Sequence, residues 1–137
     1  MGSVPEKAPN FNSEKVRRAL TEAFFNLTKL WELTRQEEAR LLGWDYAEKR
    51  STLDYMRKGK TVLDKDQDKL ERVMDLVNVH KSLRILFPNA SSRQEVYDWI
   101  KVNRERFGGY SALDIMLEEG KEGIAAIRNY LEFERTR

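Results

Sequence analysis

The chain has 137 residues, of which 35% are charged and 40% hydrophobic, and its formal net charge is +2. This length suits one compact core or two small cores that share an interface, and it is too short for a typical two-domain enzyme. The absence of cysteine excludes disulfides, thiolate zinc sites and cysteine nucleophiles. Because the net charge is small, any attraction to nucleic acid must come from local clusters of basic residues.

Residues 1–12 are polar and contain Pro5 and Pro9, with no apolar run of the kind found in signal peptides or membrane spans. We predict a flexible N-terminal tail over this range. The same features predict a cytoplasmic protein with no membrane partner.

Helical spacing of apolar residues begins after Asn12 and Ser13, either of which can cap a helix. The stripe predicts a first helix of about five turns with one face in the core. Its apolar positions are Val16, Leu20, Ala23, Phe24, Leu27, Leu30 and Trp31.

A second, shorter helix is predicted from a capping box. Thr34 and Glu37 have the spacing at which each side chain bonds a backbone amide of the first turn. Gly43 follows at the position where a left-handed residue closes a helix and turns the chain.

The third predicted helix has Leu53 and Met56 as its apolar spine and ends at Gly59. Two short helices joined by a turn, with the second facing outward, are typical of a helix-turn-helix. The connection from Gly43 to Arg50 is expected to be longer than a minimal turn of this motif.

The outer face of this third helix is basic. Residues 49–60 contain five basic residues and one acid, Asp54, which leaves a local excess of +4. Such side chains contact phosphates and base edges, and hydroxyl groups support them. We therefore predict a DNA-contacting face; the alternative is a solvated, charged helix without a ligand. The predicted DNA-binding residues are Lys49, Arg50, Ser51, Thr52, Tyr55, Arg57, Lys58 and Lys60.

A fourth helix is predicted from Asp64 or Asp66, whose carboxylates suit a helix N-terminus. Asn78 predicts a break in it, because asparagine tolerates left-handed geometry. The only histidine, His80, has no histidine or cysteine near it, so we interpret it as a packing residue and predict no metal site. Pro88 ends the helical pattern, since proline cannot continue a helix.

The helical pattern restarts after this proline. Ser92 and Glu95 have capping-box spacing, and the paired glycines at 108–109 predict a turn with backbone angles closed to other residues. Gly120 is predicted to end one short helix, and a last helix is expected from residue 121 to about residue 134. Its outer face is charged, with Arg128, Glu132, Glu134, Arg135 and Arg137.

Several short segments resemble a known family in their order and spacing. The downstream half resembles the Xre/MbcA/ParS toxin-binding domain, and the upstream half resembles the Xre-like helix-turn-helix that precedes this domain in antitoxins. One departure is Ala112, where the family usually has proline. The matching segments upstream are LLG at 41–43, RSTL at 50–53, RKG at 57–59 and LER at 70–72. Those downstream are LRILFP at 83–88, VYDWI at 96–100, Asn103 with FGG at 107–109, SALD at 111–114, GI at 123–124 and YL at 130–131.

The resemblance implies an all-α type II antitoxin. Residues 13–87 would form a helix-turn-helix bundle, and residues 88–137 a small helical toxin-binding domain. Such a protein binds and neutralises a RES-type toxin that degrades NAD, and it often represses the shared promoter. It is expected to be a homodimer on operator DNA, with no enzymatic activity and no cofactor.

The resemblance also implies a toxin-binding surface at the end of the last helix. A carboxylate such as Glu132 or Glu134 would stand in for a phosphate in the toxin's cofactor pocket. The predicted toxin-binding residues are Arg128, Glu132, Glu134, Arg135 and Arg137.

Other functions stay open from the residues alone. A stand-alone helix-turn-helix regulator would bind an operator without a toxin partner, and a protein-interaction module would do the reverse. An enzyme is the least favoured class, because the sequence has no Gly-rich phosphate loop, no metal-ligand spacing and no nucleophile with a candidate base.

Overall fold

The structure, a computed structural model, describes residues 12–137, so the predicted tail lies outside it apart from Asn12. The described residues form six α-helices and two short 3-10 helices, with no strand among them. The predicted all-α fold is therefore confirmed. The α-helices are α1 (Glu14–Leu30), α2 (Arg35–Leu41), α3 (Tyr46–Arg57), α4 (Gln67–Leu86), α5 (Arg93–Asp98) and α6 (Ala112–Thr136), and the 3-10 helices are Trp99–Lys101 and Glu105–Phe107.

Helix starts follow the predicted caps closely. Ser13 Oγ accepts a hydrogen bond from the Val16 amide at the start of α1. Thr34 and Glu37 form a complete capping box at α2, with bonds of 3.1 and 2.8 Å. Ser111 forms the equivalent box with Asp114 at α6. These signals are reliable because a cap depends on the few residues that make it.

The capping box predicted at α5 is only half formed. Ser92 Oγ accepts from the Glu95 amide, as expected. The Glu95 carboxylate, however, accepts bonds from the backbone and hydroxyl of Ser91, at 3.0 and 2.8 Å. The Glu95 carboxylate is therefore held mainly by Ser91.

The predicted break at Asn78 is wrong, because α4 runs unbroken through this position to Leu86. Val79, Ser82 and Leu83 follow at helical spacing and are completely buried. Burial of this face against neighbouring helices outweighs the weak local preference of one asparagine.

The predicted helix end at Gly120 is confirmed as a sharp kink. This residue has φ of 64° and ψ of −136°, so α6 consists of two helical parts that meet at Gly120. Arg40 of α2 donates from Nε to the carbonyl of Leu117 just before the kink, at 2.9 Å. The broken end of the first part is thus completed by a side chain from α2.

Arg72 of α4 lies between this kink and the turn after α2. It donates to the Leu41 carbonyl at 3.2 Å and to Asp68 at 3.0 Å. A Cβ atom at Gly43 would lie 3.0 Å from its Cζ atom, and one at Gly120 would lie 3.8 Å from its terminal nitrogens. Both glycines have positive φ, so each allows a backbone turn that other residues disfavour and also leaves room for the Arg72 side chain.

One cluster of buried side chains runs through the residues on both sides of Pro88. The two predicted units therefore share a hydrophobic core, with α6 packed along α4. The completely or almost completely buried members include Phe24, Trp31, Leu41, Leu53, Leu70, Leu83, Ile100, Met116, Ile124 and Leu131.

Among residues 12–137, every helix is too short or too polar to pass through a lipid bilayer.

Candidate functional site

α2 and α3 form a helix-turn-helix with a tight connection. The amide of Trp44 donates to the Ala39 carbonyl at 2.8 Å, and Gly43 between them has φ of 78°. α3 begins at Tyr46, so the expectation of a long connection before Arg50 is wrong. The turn is short enough to fix the direction of α3 relative to α2.

The inner face of α3 is held by two buried side chains, Leu53 and Met56. Seven of the eight predicted DNA-binding residues have exposed side chains. These are Lys49, Arg50, Ser51, Thr52, Tyr55, Lys58 and Lys60. We call this set the α3 face.

Aromatic rings hold some of the cations on the α3 face without neutralising them. Lys49 Nζ lies 5.6 Å from the centre of the Trp44 ring, and Lys60 Nζ lies 5.7 Å from that of Tyr55. Lys58 forms an ion pair with Asp54 at 3.0 Å. Most of the positive charge therefore stays available to an anion.

Arg57, the eighth predicted DNA-binding residue, points inward. Its guanidinium forms an ion pair with the buried carboxylate of Glu38 and lies 5.0 Å from the centre of the Phe25 ring. The other Glu38 oxygen accepts from the Thr28 hydroxyl at 2.5 Å. Burial, and then the charge of Arg35, lower the pKa of Arg57. Arg57 thus supports α3 from within the fold.

Sequence reasoning missed Glu38, which completes this arrangement. The sequence indicates the burial of Glu38 only through helical spacing. Glu38 lies three and four positions before Leu41 and Leu42, which are buried at the end of α2. A carboxylate on such a face requires a buried cation or hydroxyl partner.

The predicted toxin-binding residues cluster at the end of α6, where most are paired within the molecule. Arg128 lies 3.3 Å from Asp75 and 3.9 Å from Glu132. Glu134 lies 3.6 Å from Arg106 and 3.3 Å from Arg137. We call this group, together with Arg135, the α6 end.

Asp75 shows how the α6 end is tied to the fold. Burial raises the pKa of its carboxyl, while the nearby charge of Arg128 opposes this shift. Arg128 therefore opposes the effect of burial on Asp75 and links α6 to α4.

The geometry defines an all-α protein that presents a helix-turn-helix with a basic outer face. No family model matches the chain. It is 34% identical over 132 residues to "Uncharacterized protein y4oB" of Sinorhizobium fredii (strain NBRC 101917 / NGR234), covering 96% of this chain and 95% of that protein. The chain belongs to the same family as y4oB.

Proposed function

We propose that this protein is a type II antitoxin that binds operator DNA through the α3 face and neutralises a RES-type, NAD-degrading toxin. The observation that carries the proposal is the α3 face itself, a basic and hydroxyl-bearing surface on the second helix of a helix-turn-helix. The toxin-binding part is supported by the resemblance of residues 83–131 to the Xre/MbcA/ParS domain.

The α3 face suits a duplex because phosphate contacts supply most of the affinity and hydroxyl groups help to position the helix. Its residues are exposed, and most of its cations carry no carboxylate partner. A single such module buries too little surface to bind DNA tightly. We therefore infer a cytoplasmic homodimer that places two α3 faces on one palindromic operator.

The toxin would contact the α6 end. Phe133 is 64% exposed there and offers an apolar anchor, and the Arg137 side chain is 66% exposed beside it. Docking would exchange the ion pairs of Glu134 for pairs with cations of the toxin's cofactor pocket.

Co-expression with the product of the adjacent gene tests this function. We expect the two chains to purify together, and we expect growth and cellular NAD to be preserved only when this protein is present. A truncation after Glu132 removes Phe133 and the charges beyond it but keeps Leu131, which is buried. It should abolish neutralisation while operator binding persists; a fully active truncation would refute the role of the α6 end.

A stand-alone regulator is the second candidate, and the ion pairs within the α6 end favour it. Those charges already have partners, so they need no other protein to satisfy them. Operator binding without any toxin complex would identify this function.

A further inference from the structure

A shallow cleft lies between the second half of α4 and the start of α5, away from the α3 face. Its volume is about 580 Å³, within the ~300–1,000 Å³ typical of small-molecule sites. Lys69, near the start of α4, lies over the Trp44 ring beside α3. Lys81, at the cleft, is twelve positions further along α4, or about 18 Å at 1.5 Å per residue.

Three cations line this cleft: Lys81 and Arg84 from α4, and Arg93 from α5. Lys81 and Arg84 are three positions apart, so their side chains are neighbours on one helix face. Within the part of the chain that the structure describes, none of the three has an ion-pair or hydrogen-bond partner. No aspartate or glutamate of the described residues lines the cleft. The concavity therefore holds positive charge that the fold leaves unneutralised.

One wall of the cleft is an aromatic ring that is fixed in place. Tyr97 of α5 packs against His80 of α4 with ring centres 5.7 Å apart, and the His80 ring centre lies 6.4 Å from that of Trp31, which follows α1. This chain of rings holds Tyr97 against the core. The lining also includes Ile85 and Phe87, which are 46% and 41% exposed.

We propose that this cleft binds a free nucleotide. The forked guanidinium groups of Arg84 and Arg93 match phosphate oxygens, and Lys81 adds a point charge. The planar base would lie against Tyr97 and the exposed Phe87, since every base has a face that stacks on aromatic rings. An acidic peptide would use the cations but has no planar group for this wall. The proposal does not depend on antitoxin function.

Isothermal titration calorimetry of the full chain with ADP, at constant ionic strength, tests the site. Wild-type protein should bind ADP, and Arg84→Gln and Arg93→Gln should each weaken binding about tenfold, the loss expected for a charge-assisted hydrogen bond. Lys15→Gln removes the same charge from the exposed start of α1 and should bind as wild type does. Thermal unfolding of each variant verifies that it is folded.

The choice of ligand is tested with three further probes. Inorganic pyrophosphate should bind more weakly than ADP, and Tyr97→Leu should remove that difference while retaining an apolar group at the site. A single-stranded oligonucleotide or a glutamate-rich peptide that binds as tightly as ADP would overturn the assignment to a free nucleotide. The assignment would also be overturned if the wild-type protein did not bind ADP, or if the Arg84 and Arg93 variants bound ADP as tightly as the wild type.

Discussion

The α3 face and the α6 end are both rich in charge, but the two regions use it differently. On the α3 face, three lysines and Arg50 point to solvent, and three of these four cations lie over aromatic rings. At the α6 end, arginines and glutamates bind one another and Asp75 of α4. A count of charged residues therefore does not distinguish a surface whose charges are free from one whose charges are paired within the fold.

This difference affects how each region would bind. A ligand at the α3 face gains ion pairs while the protein loses almost none, so binding should respond strongly to salt. A partner at the α6 end must replace pairs that already exist, so the net gain per contact is smaller. Shape and apolar contact, from Phe133 in particular, would carry more of the affinity there.

The largest expected effect on stability comes from the ion pair between Glu38 and Arg57, which lies beneath α3. Glu38→Ala leaves the Arg57 guanidinium without its carboxylate and the Thr28 hydroxyl without its acceptor. We expect the free energy of unfolding to fall by about 3 kcal/mol, measured by urea denaturation. Glu22→Ala, at an exposed position of α1, should change it by less than about 0.5 kcal/mol. Equal losses in the two variants would refute the inward role of Arg57.

The second prediction separates two arginines that the sequence places together. Arg50→Ala should weaken DNA binding by about tenfold and lower the salt dependence by about one phosphate contact, with unchanged unfolding. Arg57→Ala should mainly lower the free energy of unfolding, because the Arg57 guanidinium forms an ion pair with Glu38. Fluorescence anisotropy with operator DNA and urea denaturation measure the two effects. Identical behaviour of the two variants would remove the distinction between outer and inner cations.

A third, smaller effect is expected at the α6 end. Arg128→Ala removes the cation beside Asp75, so the pKa of this carboxyl should rise further above its usual value. We expect a loss of about 1 kcal/mol at neutral pH. The folded state then binds a proton more tightly than the unfolded state, so this loss should shrink as the pH falls through the raised pKa. The double variant with Asp75→Asn should show no such pH dependence.

The smallest predicted effect concerns His80. Burial, and then the charge of Arg84, lower its pKa below the usual 6.5. The unfolded chain therefore binds the proton first, and stability should decline as the pH falls through 6.5 towards the lowered pKa. His80→Gln should remove this part of the decline as the pH falls below 6.5. Since His80 is the only histidine, an unchanged slope would contradict its burial.

Features that depend on neighbouring residues were predictable from the sequence. The capping box at Thr34 and the helix end at Gly120 each follow from a few adjacent positions. The break predicted at Asn78 failed because distant helices bury the residues that follow it. The helix preference of a single residue is a weak guide to structure where packing against another helix determines whether the helix continues.

The candidate sites show the same limit. Arg50 and Arg57 are seven positions apart on one helix, and the buried carboxylate of Glu38 and the Phe25 ring hold the second one on the inner side. The cations of the cleft come from α4 and α5, so no local run of basic residues marks them. Which charges are left without a partner depends on the assembled fold.

The position of Arg72 has a mechanical consequence. Its rigid, planar head group fills the space between the bend of the C-terminal helix and the turn that aims α3, with almost no slack on the side of Gly43. A displacement of the kink at Gly120 or of the turn at Gly43 would move the Arg72 side chain and, through it, the other segment. A change in the angle of the kink at Gly120 should therefore also change the angle of α3 relative to α2.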